Sequence, residues 1–295
     1  MNVELLHNVK KLRVLVIGDF MIDKYIEGSV SRISPEAPVP VLAVKNKISK
    51  LGGAGNVVNN LAMLGASIRV AGCIGTDIDG IWLKEELSRR NIDTSYLRQE
   101  DNTQTIVKTR LVSKKQQFLR YDEETIQDVS DTFVEFIIAN IEDVFKKIDV
   151  LIISDYGKGT IREDLAQVLI GYANKNNIIS IVDPKGKDYK KYSNATVCTP
   201  NLNELRVVTG EKIETEEEIS IYGKQLRETI KLKNLMITRS EKGISIITEK
   251  NEKKDFPAVE KEVIDVSGAG DTVVSALAVC MGVGYSIDDS CIIAN

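Results

Sequence analysis

Hydrophobic positions along this chain follow two alternating patterns. Short apolar runs are typical of buried parallel strands, and apolar residues that recur every three or four positions are typical of helices facing a core. The runs predict strands at 14–18, 68–74, 150–153, 178–182, 196–199 and 235–238, and an antiparallel addition at 243–248. The longer pattern predicts helices at 54–64, 81–90, 130–148, 162–174, 202–208, 216–230 and 273–282. The sequence therefore predicts an α/β fold whose mostly parallel sheet is covered by helices on both faces.

Two stretches of the N-terminal half, about residues 24–45 and 104–122, have a strand-like pattern instead. In the second, Lys108 and Arg110 alternate with apolar or small residues, which indicates a sheet with one face in water. The first holds three of the six prolines of the chain. We expect the two stretches to form a small sheet, called the lid below, that covers a site on the main domain.

Polar side chains follow several of the predicted strands. In an open α/β sheet, ligands bind at the carboxyl ends of the strands. A single polar residue there could be a turn former or a helix cap, but several strand ends that carry acids or amides together favour a binding site. These residues are Asp19, Asp23, Asp155, Asp183, Lys185, Asn201, Asn203 and Glu204.

A glycine-rich turn, residues 266–272, precedes the last long predicted helix. Backbone N–H groups at a helix N-terminus bind anions, and Gly268 and Gly270 allow an anion to approach closely. Beside an anion site, the carboxylate of Asp271 could accept the proton of an attacking hydroxyl. Alternatively, Ser267 or Asp271 only caps the helix. The turn alone does not decide between these two interpretations.

Two further glycine-containing segments could either contribute to a binding site or have only a structural role. Residues 52–56, Gly-Gly-Ala-Gly-Asn, could contact a phosphate before the helix at 54–64, but they match neither GxxxxGK[ST] nor GxGxxG. Close packing of helix on sheet explains the same glycines. Lys158 lies on a glycine-flanked loop after a predicted strand, where a lysine is usually a solvated turn residue.

Composition narrows the possible chemistry. The only histidine of the 295 residues is His7, which argues against Ser-His-Asp and Cys-His catalysis and against histidine-rich metal sites. Four cysteines without a CxxC pair indicate a reducing compartment, in which they serve as small buried hydrophobes. A net charge of −4 gives no general attraction to nucleic acid or membrane. The apolar run at 14–17 is too short for a signal or a span, so we expect a cytoplasmic protein.

Two motifs together resemble those of the ribokinase-like (PfkB) carbohydrate kinases. One is Gly52 to Asn56 followed by Asn60 and residues 64–66, and the other is residues 267–272. Further segments resemble the heptose 7-phosphate kinases within that family, and the most specific of them is Ser-Arg-Ile-Ser-Pro-Glu-Ala-Pro-Val-Pro at 31–40. The others are 18–23, 154–159, 183–186, 199–204 and 238–243.

The resemblance implies a ribokinase-like three-layer sandwich with a small β lid. It also implies a reaction in which ATP, with Mg²⁺, phosphorylates O1 of D-glycero-β-D-manno-heptose 7-phosphate to the 1,7-bisphosphate during ADP-heptose synthesis. The expected partners are therefore small molecules, with neither nucleic acid nor membrane among them. In this family the lid often supports dimerisation, so we also expect a homodimer.

The resemblance also assigns roles to individual residues. It makes Asp271 the catalytic base and Glu204 a Mg²⁺ ligand through water. The expected anion hole is Gly268, Ala269 and Gly270. The expected nucleotide-binding residues are Asn201, Leu202, Asn203, Glu204, Ser240, Gly243 and Lys185. The expected sugar-binding residues are Asp19, Asp23, Gly53 and Asn56, and the candidates for the 7-phosphate are Lys108, Arg110, Arg120 and Lys158.

Two departures from the family pattern and three alternatives accompany this interpretation. Ser267 stands where threonine is common, and the sequence stops at Asn295 inside a predicted helix where family members continue. We therefore expect either a trimmed fragment or an incomplete nucleotide pocket, and any nucleotidyltransferase activity would lie outside this sequence. Another sugar kinase of the same fold and a non-catalytic nucleotide-binding module remain alternatives. A dinucleotide-binding oxidoreductase is disfavoured, because the first strand ends in Gly-Asp-Phe rather than in GxGxxG.

Overall fold

The computed structural model describes residues 8–114, 116–258 and 268–295. Within these ranges, nine strands form one large sheet and four strands form the lid. The strands are β1 (Arg13–Gly18), β2 (Phe20–Ile33), β3 (Pro40–Gly53), β4 (Ser67–Gly75), β5 (Asp93–Glu100), β6 (Ile106–Ser113), β7 (Gln116–Glu123), β8 (Val150–Ser154), β9 (Ile179–Asp183), β10 (Val197–Cys198), β11 (Asn234–Thr238), β12 (Ile244–Ile247) and β13 (Lys253–Phe256).

The large sheet has the order β13-β12-β11-β10-β9-β8-β1-β4-β5. All pairs from β11 to β5 are parallel, whereas β12 and β13 pair antiparallel at one edge. The mostly parallel sheet is thus confirmed, and so is the antiparallel addition near 243–248.

Helices cover both faces of this sheet, which separates two apolar cores. They are α1 (Ala54–Leu64), α2 (Ile78–Arg89), α3 (Asp131–Ala139), α4 (Ile141–Val144), α5 (Glu163–Lys175), α6 (Leu202–Thr209), α7 (Glu216–Thr229), α8 (Ala269–Gly282) and α9 (Ile287–Ala294). Along β1, Leu15 and Ile17 pack into one core, and Val14 and Val16 pack into the other. Burial on both faces explains why the central strands are uninterrupted apolar runs in the sequence. The three-layer sandwich is confirmed.

The lid has the order β3-β2-β6-β7, with β2 parallel to β6 and the other pairs antiparallel. Both predicted lid stretches lie in it, but the first was too short, because β3 continues as far as Gly53. Gly52 and Gly53 therefore end a strand instead of forming a free loop. A Cβ at Gly52 would lie 2.4 Å from Oδ2 of Asp23 on the paired strand, so a larger residue there would displace the Asp23 side chain.

Three other expectations needed correction. The helix predicted at 130–148 is divided into α3 and α4 at Asn140, whose side-chain amide donates to the Phe136 carbonyl at 2.8 Å. The edge strand β5 was missed because its sequence is mostly polar, and the strand β13 was missed as well.

Two expectations from composition can be compared with the structure directly. All four cysteines are buried and free, as predicted. In the part of the chain that the structure describes, no helix combines the length and the hydropathy that crossing a bilayer requires.

Candidate active site

A cleft of about 170 Å³ opens at the carboxyl ends of β9, β10 and β11, beside the N-terminus of α8. Its walls carry acids, amides and glycines that are far apart in the sequence. They are Tyr156, Asp183, Thr199, Asn201, Glu204, Thr238, Gly268, Gly270, Asp271 and Val274. Of the eight strand-end residues that the sequence predicted to share a site, three line this cleft together with Asp271, namely Asp183, Asn201 and Glu204.

Asp271 lies in the first turn of α8 and is only 6% exposed. Its Oδ2 accepts a hydrogen bond from Asn56 Nδ2 at 2.6 Å, and its Oδ1 accepts one from the Tyr156 hydroxyl at 2.5 Å. Burial raises the pKa of this carboxyl, whereas the hydrogen bonds from Tyr156 and Asn56 oppose that rise. No side chain of the described residues caps α8, so the capping interpretation does not fit Asp271. Ser267 lies outside the described residues.

The helices α1 and α8 are joined side by side, and this contact brings the two glycine-containing motifs together. Besides the Asn56–Asp271 bond, Asn60 donates to the Thr272 hydroxyl at 3.3 Å. Ser275 of α8 donates to the carbonyl of Val57 at 3.3 Å. These contacts join two helices, and they aim Asn56 at the cleft.

The anion hole expected at Gly268, Ala269 and Gly270 lies at the N-terminus of α8, where backbone N–H groups have no intrahelical acceptor. Gly268 has φ of +78°, and a Cβ there would lie 2.6 Å from the Asn56 amide nitrogen. Glycine is thus required by backbone conformation and by space. Gly268 and Gly270 both line the cleft, which suits an anion held by backbone donors.

Two of the expected nucleotide-binding residues lie at the start of α6 and line the cleft. Asn201 caps this helix by accepting from the backbone N–H of Glu204 at 2.9 Å. Glu204 accepts from the backbone N–H of Asn201 at 3.0 Å and from Lys185 Nζ at 2.7 Å. The ion pair with Glu204 holds Lys185 beside the cleft, although half of its side chain is exposed.

Four other expected nucleotide-binding residues are not on the cleft wall. Leu202 packs against the apolar core, and Asn203 accepts a hydrogen bond from Arg206 within α6. Ser240 and Gly243 flank a single 3₁₀ turn just after β11. A Cβ at Gly243 would lie 2.1 Å from the Phe256 carbonyl oxygen, so packing against the backbone already requires that glycine.

The side chains around Glu204 fit a divalent cation bound mainly through water. Both oxygens of Glu204 already accept hydrogen bonds, which leaves contact through water as the simplest arrangement. Across the described ranges, no three Asp, Glu, His or Cys side chains are grouped closely enough to hold an ion directly. Mg²⁺ commonly keeps several waters and binds substrate phosphates, which agrees with a cleft of this kind.

Asp19 lies behind the cleft and is 1% exposed. Its carboxylate accepts the backbone N–H groups of Tyr156, Lys158 and Thr160 at 2.8, 3.1 and 3.1 Å. These bonds fix the loop after β8. A direct sugar contact was expected for Asp19, but its buried, fully engaged carboxylate is better suited to hold this loop in place.

The lid presents a charged face on which cross-strand neighbours lie side by side. Arg110 pairs with Arg120 across β6 and β7, and Lys108 pairs with Asp122. The Arg110–Asp23 ion pair measures 2.5 Å and the Arg120–Asp122 pair 2.6 Å. Arg110, Arg120 and Lys108, three of the four basic residues expected at a sugar phosphate, thus share this lid face, and each is ion-paired with an acid of the lid.

Lys158 connects the lid to the loop after β8. It donates to Glu124 at 2.7 Å, and Glu124 also accepts from Lys108 at 3.1 Å. The Lys158 side chain is only 14% exposed, so the interpretation as a solvated turn residue does not fit it. The sugar-binding candidate Gly53 lies at the N-terminus of α1 with φ of +55°, where its backbone adjoins the carbonyl of Asp19.

Three residues of the site were missed in the residue roles assigned from the sequence. Tyr156 contacts Asp271 directly, and Asp183 lines the cleft. Burial and the neighbouring Asp271 and Glu204 raise the pKa of Asp183 well above its usual range. Lys50 pairs with Asp23 across β2 and β3, and its Nζ lies 5.1 Å from the ring centre of Tyr25. The sequence already indicates that Asp183 follows a strand. The position of Lys50 opposite Asp23, in contrast, is known only from the register between β2 and β3.

The sheet order, the lid and the cleft at the strand ends define a sugar-kinase domain. The profile of the pfkB family carbohydrate kinases matches residues 11–295. The chain therefore belongs to the pfkB family and is an ATP-dependent carbohydrate kinase.

Curated relatives share close to half of the aligned residues. The chain is 46% identical over 286 residues to the bifunctional protein HldE of Aliarcobacter butzleri and 43% identical over 286 residues to that of Haemophilus influenzae. Each alignment covers 97% of this chain but only 60% and 59% of the respective relatives. The chain thus spans about three fifths of the length of these relatives.

Solved structures agree in fold. Arabidopsis thaliana ribokinase complexed with ribose and ATP matches with a TM-score of 0.73 at 19% identity, over 95% of this chain and 89% of that chain. The tetrameric inhibited form of phosphofructokinase-2 from Escherichia coli matches with a TM-score of 0.76 at 17% identity, over 95% and 90%. At these identities the likeness concerns the fold alone.

We expect Asp271→Asn to lower kcat by about 10²–10⁴-fold, because the amide cannot accept the proton of the attacking hydroxyl. ATP affinity should remain near that of the parent protein, since the backbone N–H groups of α8 are unchanged. Coupled ADP release gives kcat, and isothermal titration calorimetry gives nucleotide affinity. Asp143→Asn, which changes an exposed acid in the first turn of α4, is the matched control. Turnover near the parent value in Asp271→Asn would exclude Asp271 as the base.

Proposed function

We propose that this kinase domain uses ATP and Mg²⁺ to phosphorylate O1 of D-glycero-β-D-manno-heptose 7-phosphate, as a step of ADP-heptose synthesis. The observation that carries the proposal is the charged lid face on which Lys108, Arg110 and Arg120 lie together, because a sugar that already bears a phosphate needs cationic partners away from the reacting hydroxyl. The family-specific segment at 31–40 forms the end of β2 and the turn into β3 of the same lid. The extended similarity to HldE proteins supports the same assignment.

In the proposed reaction, Asp271 accepts the proton of the O1 hydroxyl while that oxygen attacks the γ-phosphorus of ATP. A new P–O1 bond forms, the bond from the γ-phosphorus to the bridging oxygen breaks, and ADP leaves. The backbone N–H groups of Gly268, Ala269 and Gly270 stabilise the charge on the transferring group. When bound, Mg²⁺ would neutralise charge on the nucleotide phosphates. Catalysis of this kind depends mainly on positioning and electrostatics.

The remaining residues of the site are proposed to bind different parts of the two substrates. Asp23, Gly53 and Asn56 are proposed to position the sugar hydroxyls beside Asp271. Glu204 is proposed to hold Mg²⁺ through water, with Lys185 and Asn201 beside the nucleotide phosphates. Ser240 and Gly243 are proposed to border the nucleotide from the turn after β11, outside the cleft itself.

Homodimer formation through the lid remains part of this proposal. Several apolar side chains of the lid are exposed, among them Val44 at 49%, Phe118 at 43% and Leu119 at 54%. Burying such side chains against a second copy would stabilise a dimer. The mass of the assembly in solution, measured by light scattering, tests this part of the proposal: one chain of 32.7 kDa would contradict it.

A substrate comparison tests the proposed reaction. Heptose 7-phosphate, unphosphorylated heptose and fructose 6-phosphate are offered separately with ATP and Mg²⁺, and products are identified by phosphorus NMR. We expect a 1,7-bisphosphate from the first and a much lower kcat/KM for the other two. Equal or better use of fructose 6-phosphate would assign the domain to another sugar phosphate.

We expect Lys50→Gln and Arg110→Gln each to raise the KM for heptose 7-phosphate about 10-fold or more, since a charged hydrogen bond is worth about 1.5–3 kcal/mol. Lys47→Gln is the control on the same strand as Lys50. It pairs with Ile26 and so lies on the opposite lid face. Steady-state kinetics with the phosphorylated and the unphosphorylated heptose separate phosphate binding from sugar binding. If all three variants keep the parent KM, the charged lid face does not bind the phosphate.

A further inference from the structure

The loop after β8 has a conformation that few sequences could adopt. Gly157 and Gly159 have φ of +67° and +104°, and a Cβ at Gly159 would lie 1.9 Å from the Gln127 carbonyl oxygen. Asp19 accepts three backbone N–H groups of this loop, those of Tyr156, Lys158 and Thr160. Since an anchor of this kind leaves the backbone little freedom, the direction of the Cα–Cβ bond of Tyr156 is also fixed.

That side chain ends on the catalytic cleft. The Tyr156 hydroxyl donates to Oδ1 of Asp271 at 2.5 Å, while Asn56 donates to the other oxygen at 2.6 Å. The two donors come from different elements on either side of the carboxylate. Together they restrain its rotation, and each oxygen keeps a lone pair for a substrate hydroxyl.

The electrostatic surroundings give the tyrosine a second effect. Asp271 faces Asp23 on β2 of the lid. The negative charge of Asp271 also acts on Asp183 at the end of β9. Burial and the neighbouring Asp23 favour the protonated form of Asp271 and so raise its pKa, whereas the hydrogen bonds from Tyr156 and Asn56 favour the ionised form. Burial and the charges of Asp271, Asp183 and Asp23 raise the pKa of Tyr156 above its usual value, so its hydroxyl remains a donor.

We propose that Tyr156 is a positioning residue for phosphoryl transfer, and that its hydroxyl holds the Asp271 carboxylate where it accepts the proton of the sugar hydroxyl. Asp19 acts through Tyr156 by anchoring the loop that carries it. The proposal rests on the role of Asp271 as the base.

Tyr156→Phe in the full chain tests the proposal because it removes only the hydroxyl. We expect kcat to fall about 10- to 100-fold, as for loss of a hydrogen bond to a charged group, with little change in the KM for ATP. The base must be ionised, so activity is lost as pH falls through its pKa. Losing a donor raises that pKa, and the acid limb of kcat/KM for the sugar should move to higher pH.

Tyr189→Phe is the matched control. Tyr189 is also buried, and within the described residues its hydroxyl has no hydrogen-bond partner. We expect this variant to keep the parent kcat and the parent pH profile. Thermal unfolding of each variant, together with the fraction of active sites measured by nucleotide titration, corrects the rates for any loss of folded protein.

The outcomes separate this proposal from the role of Asp271. If Asp271→Asn loses turnover while Tyr156→Phe keeps the parent kcat and acid limb, the positioning role is wrong and the base is retained. A lower kcat with an unshifted acid limb would also overturn the proposal, since a purely structural contact does not change the ionisation of Asp271. If Asp271→Asn keeps its turnover, the assignment of the base fails first.

Discussion

The carboxylate of Asp271, held between Asn56 and Tyr156, is the contact on which the rest of the site depends. It joins the N-terminus of α8 to α1 on one side and to the loop after β8 on the other. The backbone N–H groups of α8 and the proposed base thereby stay in one fixed relation, whatever the lid does. For a reaction that depends on positioning and electrostatics more than on covalent help, that fixed relation is the main contribution of the protein.

The cost of this arrangement is a concentration of acids at one end of the sheet. Asp155 is balanced by Lys191 and by the Tyr192 hydroxyl, and Asp19 is balanced by hydrogen bonds from the loop after β8. Burial together with Asp271 and Glu204 raises the pKa of Asp183 well above the usual range, although the charge of Lys185 opposes this rise. An acidic pocket with anion-binding N–H groups at one wall suits ATP that arrives with a divalent cation, because the cation can offset both the acids and the phosphates.

The sequence predicted the large sheet well because its strands are buried on both faces and are therefore unbroken apolar runs. It also predicted that the motifs around Asn56 and Asp271 belong to one site. The division at Asn140 was not predictable, since the apolar stripe continues through it and a local bond from side chain to backbone decides the break. The Tyr156–Asp271 contact joins residues 115 positions apart, and no spacing in the sequence signals it.

Asp19 and Leu202 also lie elsewhere than the sequence predicted, because their contacts are not signalled by the sequence. Their types and positions resemble those of ligand-binding residues, but their contacts depend on packing that only the folded chain shows. A carboxylate directed at backbone N–H groups organises a loop, whereas one directed at a cleft can bind a ligand or transfer a proton. Sequence patterns identify the end of the sheet at which the proposed chemistry occurs. The structure shows which residues at that end face the cleft and which hold a loop in place.

The most direct measurement is a crystal structure of the full chain with a non-hydrolysable ATP analogue, Mg²⁺ and the sugar. The account predicts that the γ-phosphoryl group accepts hydrogen bonds from the backbone N–H groups of residues 268–270, and that an oxygen of Asp271 lies within hydrogen-bond distance of the sugar hydroxyl facing it. A γ-phosphoryl group bound away from the N-terminus of α8, or a sugar hydroxyl that contacts no oxygen of Asp271, would contradict it.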